Sequence, residues 1–302
     1  MLRRGLLVLL ALSASLAVAQ ETPSPDVVKD VKGLSIRVDM RWARPGGLLL
    51  AYVRPQKAMG PASFALEGQR APVYPGPSGL RALVPVPLTM PAGPATLGLE
   101  IRGGRGKRRI ALEVTIAPAA FPPRTVTIAD DKKELLAHAD RVRDSRLVLG
   151  AIRQETPVAA GRGALVAPVA AAPEPSFGSL ETYEGATFVP LLTDGVYGDQ
   201  HRGLDYAVPA GTTVHAPGAG VVRLAQGLAF AGQTVVLDHG HGVVSAFFHL
   251  GKLGVAAGDV VEARAALGVS GDSGLASAPH VHWGVYLHGV AVDPRVLQEV
   301  EP

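Results

Sequence analysis

Between Leu34 and Ile116 no stretch runs far in one conformation, because short apolar segments alternate with turn signals built from proline and glycine. The segments are Leu34–Val38, Leu48–Val53, Ala82–Val86, Leu97–Ile101 and Ile110–Ile116. Arg44-Pro-Gly-Gly47, Tyr74-Pro-Gly-Pro77 and Pro91-Ala-Gly-Pro94 stand between them. Proline has no amide to donate and glycine loses the most entropy on ordering, so neither prolongs a helix or a central strand. Short strands at regular spacing are predicted, forming a small antiparallel sandwich of immunoglobulin-like type. The bias extends to the whole chain: glycine (36) and proline (25) make up about a fifth of 302 residues, and aromatic residues only 5%. The fold class expected is therefore mainly β.

The first twenty residues read MLRRGLLVLLALSASLAVAQ. Arg3 and Arg4 form a positive start, Gly5 to Leu16 an apolar core, and Ala17-Val18-Ala19 a small-residue cleavage signal. This is the pattern of a signal peptide over residues 1–19, and it predicts an exported protein of the periplasm, the cell envelope or the outside of a bacterium. The apolar run is too short for a comfortable membrane span. Without Arg3 and Arg4, 27 basic residues face 26 acidic ones, so bulk charge gives no argument for a nucleic-acid partner. The chain has no cysteine. That excludes a disulfide scaffold and leaves histidine and carboxylate as the donors for any metal.

Residues 20–122 hold the predicted sandwich, which Pro122-Pro123 closes. Its one charged feature, Arg102-Gly-Gly-Arg-Gly-Lys-Arg-Arg109, reads as a solvated hairpin loop, with contact to an anionic wall polymer as the other reading. Residues 123–175 read as a connecting helix and linker. Leu135, Leu136, Val142, Leu149 and Ile152 approach helical spacing between Asp130 and Gln154, and Asp130 or Asp131 is placed to cap the start. Residues 176–302 return to strands and turns and carry every histidine except His138, which reads as a surface residue.

Three elements of this last region carry chemistry. In Gln200-His-Arg-Gly-Leu-Asp-Tyr-Ala-Val-Pro209, glycine and proline argue for an extended segment, and residues an even number apart then share a face. His201 and Asp205 are donors that zinc accepts, although this spacing alone is a weak signal. In His280-Val-His-Trp-Gly-Val-Tyr-Leu287, period-2 alternation sends His280 and His282 to one face, with Val281 and Trp283 packed on the other. His249, at the end of a returning strand, draws interest only from this company. The rival pair in Asp238-His-Gly-His-Gly242 reads as a hairpin tip, too loose for a tight metal site. His215 and His288 read as turn or surface residues.

Taken in order, H-R-G-L-D-Y-A-V-P-A-G-T-T-V-H-A-P-G-A-G-V-V, V-V-L-D-H-G-H-G, F-F-H-L, V-A-A-G-D-V-V, G-V-S-G-D-S-G, H-V-H-W and V-D-P resemble the lysostaphin/LytM-type zinc metallopeptidases, peptidoglycan endopeptidases of family twenty-three. The likeness covers about two-fifths of the chain, from Phe177 to Leu297. It implies one zinc held by His201, Asp205 and His282, with His249 and His280 as catalytic histidines that flank the metal without binding it. It also implies an antiparallel β-sheet metallopeptidase domain over residues 176–302, and peptidoglycan peptides as the partner. Residues 34–160 resemble, more loosely, the sandwich and helix that precede this domain in some members. The sequence departs from the pattern at Ala278-Pro279, at Gly284 and after Ser176-Phe-Gly178, where an arginine often follows. These departures bear on groove shape and not on the ligands. The alternative reading is a catalytically silent regulator of another wall hydrolase, which the presence of all five histidine and aspartate positions disfavours. Ala216-Pro-Gly-Ala-Gly-Val-Val222 and Val255-Ala-Ala-Gly-Asp-Val-Val-Glu262 further resemble the half-barrel of biotinyl and lipoyl carriers, but the hairpin lacks their lysine. The cleaved bond, the role of the sandwich and the oligomeric state are not readable from these motifs.

Overall fold

A computed structural model describes residues 26–31, 33–76, 79–104, 106–137, 140–156, 161, 163–183 and 200–301. The signal-peptide reading and His138 lie outside the described residues. Strands are numbered in chain order. The N-terminal part has a five-stranded sheet in the order β1 (Val27–Val31), β2 (Leu34–Asp39), β3 (Leu48–Pro55), β7 (Gly79–Pro85), β6 (Tyr74–Gly76). A four-stranded sheet runs β5 (Gln69–Pro72), β4 (Ala62–Leu66), β8 (Gly93–Gly103), β9 (Gly106–Ile116). All pairings in both sheets are antiparallel.

The two sheets share a core. Ile36, Val38, Leu49, Ala51, Val53 and Val84 of the first meet Phe64, Leu66, Leu97, Leu99, Leu112 and Val114 of the second. Two antiparallel sheets thus face each other across one apolar core, in line with the expected sandwich. Tyr74-Pro-Gly76 differs from expectation: it is strand β6, hydrogen-bonded to β7, and not only a turn. Proline is tolerated there because β6 is an edge strand, where an amide donor can be spared. The basic stretch forms the β8–β9 hairpin end, as read, and Arg70, Arg102, Lys107 and Arg109 gather within 3.3–3.7 Å of the Glu100 carboxylate.

Strand β3 explains why Leu48-Leu-Leu-Ala-Tyr-Val53 is apolar without a break. Alternate side chains point to opposite faces. Leu49, Ala51 and Val53 enter the sandwich core, whereas Leu48 and Leu50 enter a second core with Leu204, Tyr206, Val281 and Trp283 of the C-terminal sheet. A strand buried on both faces has no side for polar residues. The backbone seals the same junction, where the Asp293 amide donates to the Gly46 carbonyl at 2.7 Å.

The C-terminal sheet has nine strands. Its main path is β12 (Leu204–Ala207), β19 (His280–Leu287), β16 (Val243–Leu253), β15 (Gly232–Gly240), β14 (Gly220–Leu228), β17 (Val260–Val261). Strand β18 (Ala266–Ser270) pairs with β16 and β13 (Thr213–His215), and β20 (Val290–Val292) pairs with β19. Helix α2 (Pro294–Glu299) follows, capped by the Asp293 carboxylate on the Arg295 amide.

Between the two parts, the expected single connecting helix is two elements: a 3-10 segment (Asp130–Ala137) and helix α1 (Asp140–Ile152). Tertiary packing selects the second. Val148, Leu149 and Ile152 of α1 cover Val236, Val244 and Ala246 on the sheet face opposite the sandwich. The buried Asp144 carboxylate receives the Ala229 amide at 2.7 Å and the Phe230 amide at 3.3 Å, so α1 is also pinned to the β14–β15 turn. Asp130 pairs with Lys133 at 2.6 Å. Among the described residues, no helix is long and apolar enough to cross a membrane.

Candidate metal centre

Strand alternation sorts β19 as expected. Val281, Trp283, Val285 and Leu287 lie in the core shared with the sandwich, and His280, His282 and Tyr286 face the other way. His282 stands directly opposite Asp205 of β12 on one side and Phe248 of β16 on the other. Asp205 follows the same rule, since its neighbours Leu204 and Tyr206 are in the shared core. His201 precedes β12, and two backbone bonds hold it: its amide donates to Ser179 O at 2.9 Å, and the Gly178 amide donates to its carbonyl at 2.8 Å. Gly203 allows the close approach. A Cβ there would stand 2.5 Å from His282 Nε2 and 2.6 Å from Trp283 O.

His249 breaks the alternation. Phe247 points into the shared core and Phe248 away from it, so a regular strand would return His249 to the side of Phe247. Instead His249 has φ of 61°, a left-handed conformation that costs free energy at a residue with a side chain. The ring is thereby turned to the side of His280, with ring centroids 4.9 Å apart. The conformation is held by the His249 amide donating to Ala231 O, in a stretch where the β15–β16 register shifts.

His201, Asp205 and His282 are all buried and present three donor atoms to one point. His201 Nε2 is 3.1 Å from Asp205 Oδ1, His282 Nδ1 is 3.0 Å from the same oxygen, and the two nitrogens are 3.0 Å apart. Ring nitrogens at that separation repel through their lone pairs unless a proton or cation lies between them. Such a triad can hold a metal ion. Two atoms bound to one zinc at about 2.0–2.2 Å can be at most ~4.4 Å apart, so the observed spacings fit.

The outer oxygen of Asp205, Oδ2, accepts from Arg124 Nη1 at 3.0 Å. Arg124 belongs to β10 (Arg124–Val126), which pairs in parallel with β11 (Glu181–Tyr183). These two short strands form one wall of the cleft over the triad. Phe230, Phe248, Leu275 and Ser277 line the cleft too, as do His249 and His280.

Electrostatics follow from burial and contact. Burial opposes ionisation of Asp205, but attraction and hydrogen bonds from His201 and His282 outweigh it and hold the carboxyl well below its ordinary range. Burial likewise opposes charging of His201, yet Asp205 raises its pKa above the ordinary value. Burial, reinforced by the nearby His280 and His282, lowers His249 to about 3. Burial lowers His282 to about 4, against a counteracting hydrogen bond to Asp205. Each flanking histidine uses Nδ1 to donate to a carbonyl, His249 to Ser273 at 2.9 Å and His280 to Ala278 at 2.8 Å. In a neutral ring bonded this way, Nε2 is the unprotonated nitrogen.

The remaining histidines do other work. His239 is buried, with Nδ1 donating to Ala219 O at 2.8 Å and Nε2 2.9 Å from Ser245 Oγ, which also accepts from Trp283 Nε1. His241 sits at the β15–β16 tip and stacks on Tyr74 of the sandwich at 3.9 Å between centroids. His215 is exposed on β13, and His288 contacts Glu155 at 3.0 Å. Sequence reasoning missed the cleft walls, Arg124 above all. It stands 81 positions before Asp205 beside a proline pair, and no spacing rule connects the two.

Residues 199–294 match the profile of Peptidase family M23. Over 93 residues the chain is 36% identical to the peptidoglycan DD-endopeptidase ShyA of Vibrio cholerae, covering 31% of this chain and 22% of that protein. Over 94 residues it is 33% identical to the DD-carboxypeptidase/endopeptidase Mpg of Neisseria meningitidis, covering 31% and 22%. An uncharacterized metalloprotease of Buchnera aphidicola is 35% identical over 101 residues, covering 33% and 27%. The chain spans about a quarter of the length of the curated relatives it matches. The crystal structure of a candidate M23 peptidase from Pseudomonas aeruginosa superposes with a TM-score of 0.62 at 28% identity, covering 85% of this chain and 94% of that one. That likeness reaches well beyond the profile match and takes in the sandwich side of the chain. What residues 199–294 of this chain are similar to is therefore peptidase family M23.

Proposed function

We propose that this protein is an exported zinc endopeptidase that hydrolyses peptide cross-links or stem peptides of bacterial peptidoglycan. The observation that carries the reading is the convergence of His201 Nε2, Asp205 Oδ1 and His282 Nδ1 within 3.0–3.1 Å of one another beneath a cleft. Two imidazoles and one carboxylate form a donor set suited to zinc, and three protein donors are the number found in catalytic rather than structural zinc sites. The names of the relatives, one a peptidoglycan DD-endopeptidase and another a DD-carboxypeptidase/endopeptidase, support the substrate class. The signal-like start of the sequence supports export.

A zinc ion held there supplies Lewis acidity, lowering the pKa of a water toward neutrality and polarising the peptide carbonyl. His201, Asp205 and His282 would hold the ion through the three atoms named above. His249 and His280 line the cleft, where an unprotonated Nε2 would orient the attacking water and take its proton, and the same nitrogen, once protonated, would steady the oxyanion and pass that proton to the leaving amine. Burial and the neighbouring histidines disfavour charge on His249, so a proton it takes would be passed on and not kept. With water as the attacking group, the proposed reaction needs no covalent acyl intermediate.

The test is direct. The purified chain should bind about one zinc and release soluble fragments from purified sacculi, and Asp205→Ala or His282→Ala should lose both properties. Cleavage by chelator-stripped protein at the rate of the zinc-loaded protein would defeat the reading. Mass spectrometry of the products from defined muropeptides identifies the bond.

A further inference from the structure

The carboxylate of Asp205 divides its two oxygens between two parts of the chain. Oδ1 faces His201 and His282, whereas Oδ2 accepts from the Arg124 guanidinium at 3.0 Å. Arg124 comes from β10, far outside the stretch that matches the family profile. Its place is determined by backbone: its amide donates to Leu180 O at 2.8 Å, and β10 pairs with β11 so that Arg124 lies opposite Glu181. A second backbone bond ties the same wall to the aspartate itself, since the Glu174 amide donates to Asp205 O at 2.8 Å.

We propose that Arg124 is a positioning residue of the metal centre, capping the outer oxygen of Asp205 so that the inner one stays aimed between the two histidines. The inference rests on the reading that His201, Asp205 and His282 bind zinc. The terminal torsion of an aspartate is soft, and an uncapped carboxylate turns to offer either oxygen or both. Asp205 is 7% exposed, so water cannot readily serve as the cap and an unpartnered Oδ2 would be costly. Carboxylates that bind metals are in turn held by such outer hydrogen bonds.

A guanidinium near the ion also repels it, and the sign of the net effect needs deciding. Arg124 does not act alone: its guanidinium lies 3.5 Å from the Glu174 carboxylate and 3.9 Å from that of Glu181. One cation with two carboxylates leaves that wall with a net negative charge. The repulsion is therefore offset locally and the orienting effect prevails. The metal centre of this chain is thus assembled from two separated stretches, the connector that carries Arg124 and the sheet that carries the triad.

Zinc affinity of the full-length chain, measured by competition with a chromophoric chelator, tests this without reference to turnover. Arg124→Ala should weaken zinc binding about 10–100-fold, and Arg124→Lys should recover part of the loss by keeping one charged donor. Thermal melting and circular dichroism of the metal-free variants show whether the fold is intact, and Arg124→Met, which keeps the aliphatic stem, takes the place of alanine should that variant not fold. Zinc binding by Arg124→Ala as tight as in the unmodified chain, or tighter, overturns the proposal. So does a lysine variant no better than alanine when the metal-free melts agree. Asp205→Ala separates the two levels of the reading: if it loses zinc while Arg124→Ala does not, only the positioning role falls. If the unmodified chain itself binds no zinc, both fall.

Discussion

Strands β3 and β19 are each buried on both faces, yet they spend the second face differently. Strand β3 sends Leu49, Ala51 and Val53 into one apolar core and Leu48 and Leu50 into another. Strand β19 sends Val281, Trp283 and Val285 into the same shared core, but its other face carries His280 and His282. A buried polar face has to be satisfied, and around β19 that is achieved by Asp205, by Arg124 behind it and by backbone carbonyls. The sandwich also holds a carboxylate among cations, Glu100 with Arg70, Arg102, Lys107 and Arg109, but those cations are exposed. Exposed pairs are screened and contribute little. The lesson is that charge gathered at a surface marks solubility, whereas charge gathered under a cleft with donors aimed at one another marks a site.

The comparison can be broken most sharply at His249, the residue turned out of the strand pattern. On the proposed reading, in which the ring flanks the metal without holding it, His249→Ala should lower the rate of sacculus cleavage about 10²–10⁴-fold while leaving zinc affinity within a few-fold. Loss of zinc in parallel with activity would make His249 a ligand and not a proton carrier. The kinetic readout is turnover of a defined muropeptide beside chelator competition.

Strand β3 offers the next test. Leu49→Ala and Leu50→Ala each remove a fully or nearly fully buried side chain, at a cost of about 2–5 kcal/mol in denaturant unfolding. They should differ in what else moves. Trp42 and Trp283, the chain's two tryptophans, both lie in the shared core that Leu50 enters. Leu50→Ala should therefore shift the emission of the folded protein more than Leu49→Ala does. Equal spectral shifts would mean that the two faces of β3 are not independent.

The smallest effect concerns pH and the buried His239 beneath the hairpin. Burial lowers its pKa, against the opposing hydrogen bond to Ala219 O and the pull of Asp238. A group whose folded pKa is depressed binds fewer protons in the folded chain than in the unfolded one. Stability is therefore fully present above the ordinary histidine pKa of about 6.5 and falls on acidification below it, by at most ~1.4 kcal/mol per pH unit for one such group. His239→Gln should reduce that slope in metal-free protein without abolishing it, since His249 and His282 are depressed too, and an unchanged slope would remove His239 from the account. Residues 20–122 contain no histidine, so the sensitivity should belong to the C-terminal sheet.

How much could be read beforehand depended on the range of the interaction. His280 and His282 on one face of β19 followed from period-2 alternation, a local rule that tertiary packing had no reason to override. The paired sheets and the hairpin tip at His241 followed from glycine and proline placement. His249 was visible only through the order of motifs, since a left-handed residue within a strand leaves no mark in hydrophobic pattern. The expected single helix became a 3-10 segment and α1, because contact with β15 and β16 and not helical spacing decided which turns persisted.

The sequence by itself determined the strands, their faces and the residue types able to hold a metal, since backbone sterics and side-chain alternation act within a few residues. Only the tertiary structure decided that β3 serves two cores and that His201 and Asp205 meet His282 across the sheet. It alone also brought an arginine from the connector to the far oxygen of Asp205. Such meetings are made by strand order and burial, which draw together atoms separated by about eighty positions of chain, and no local spacing encodes that distance.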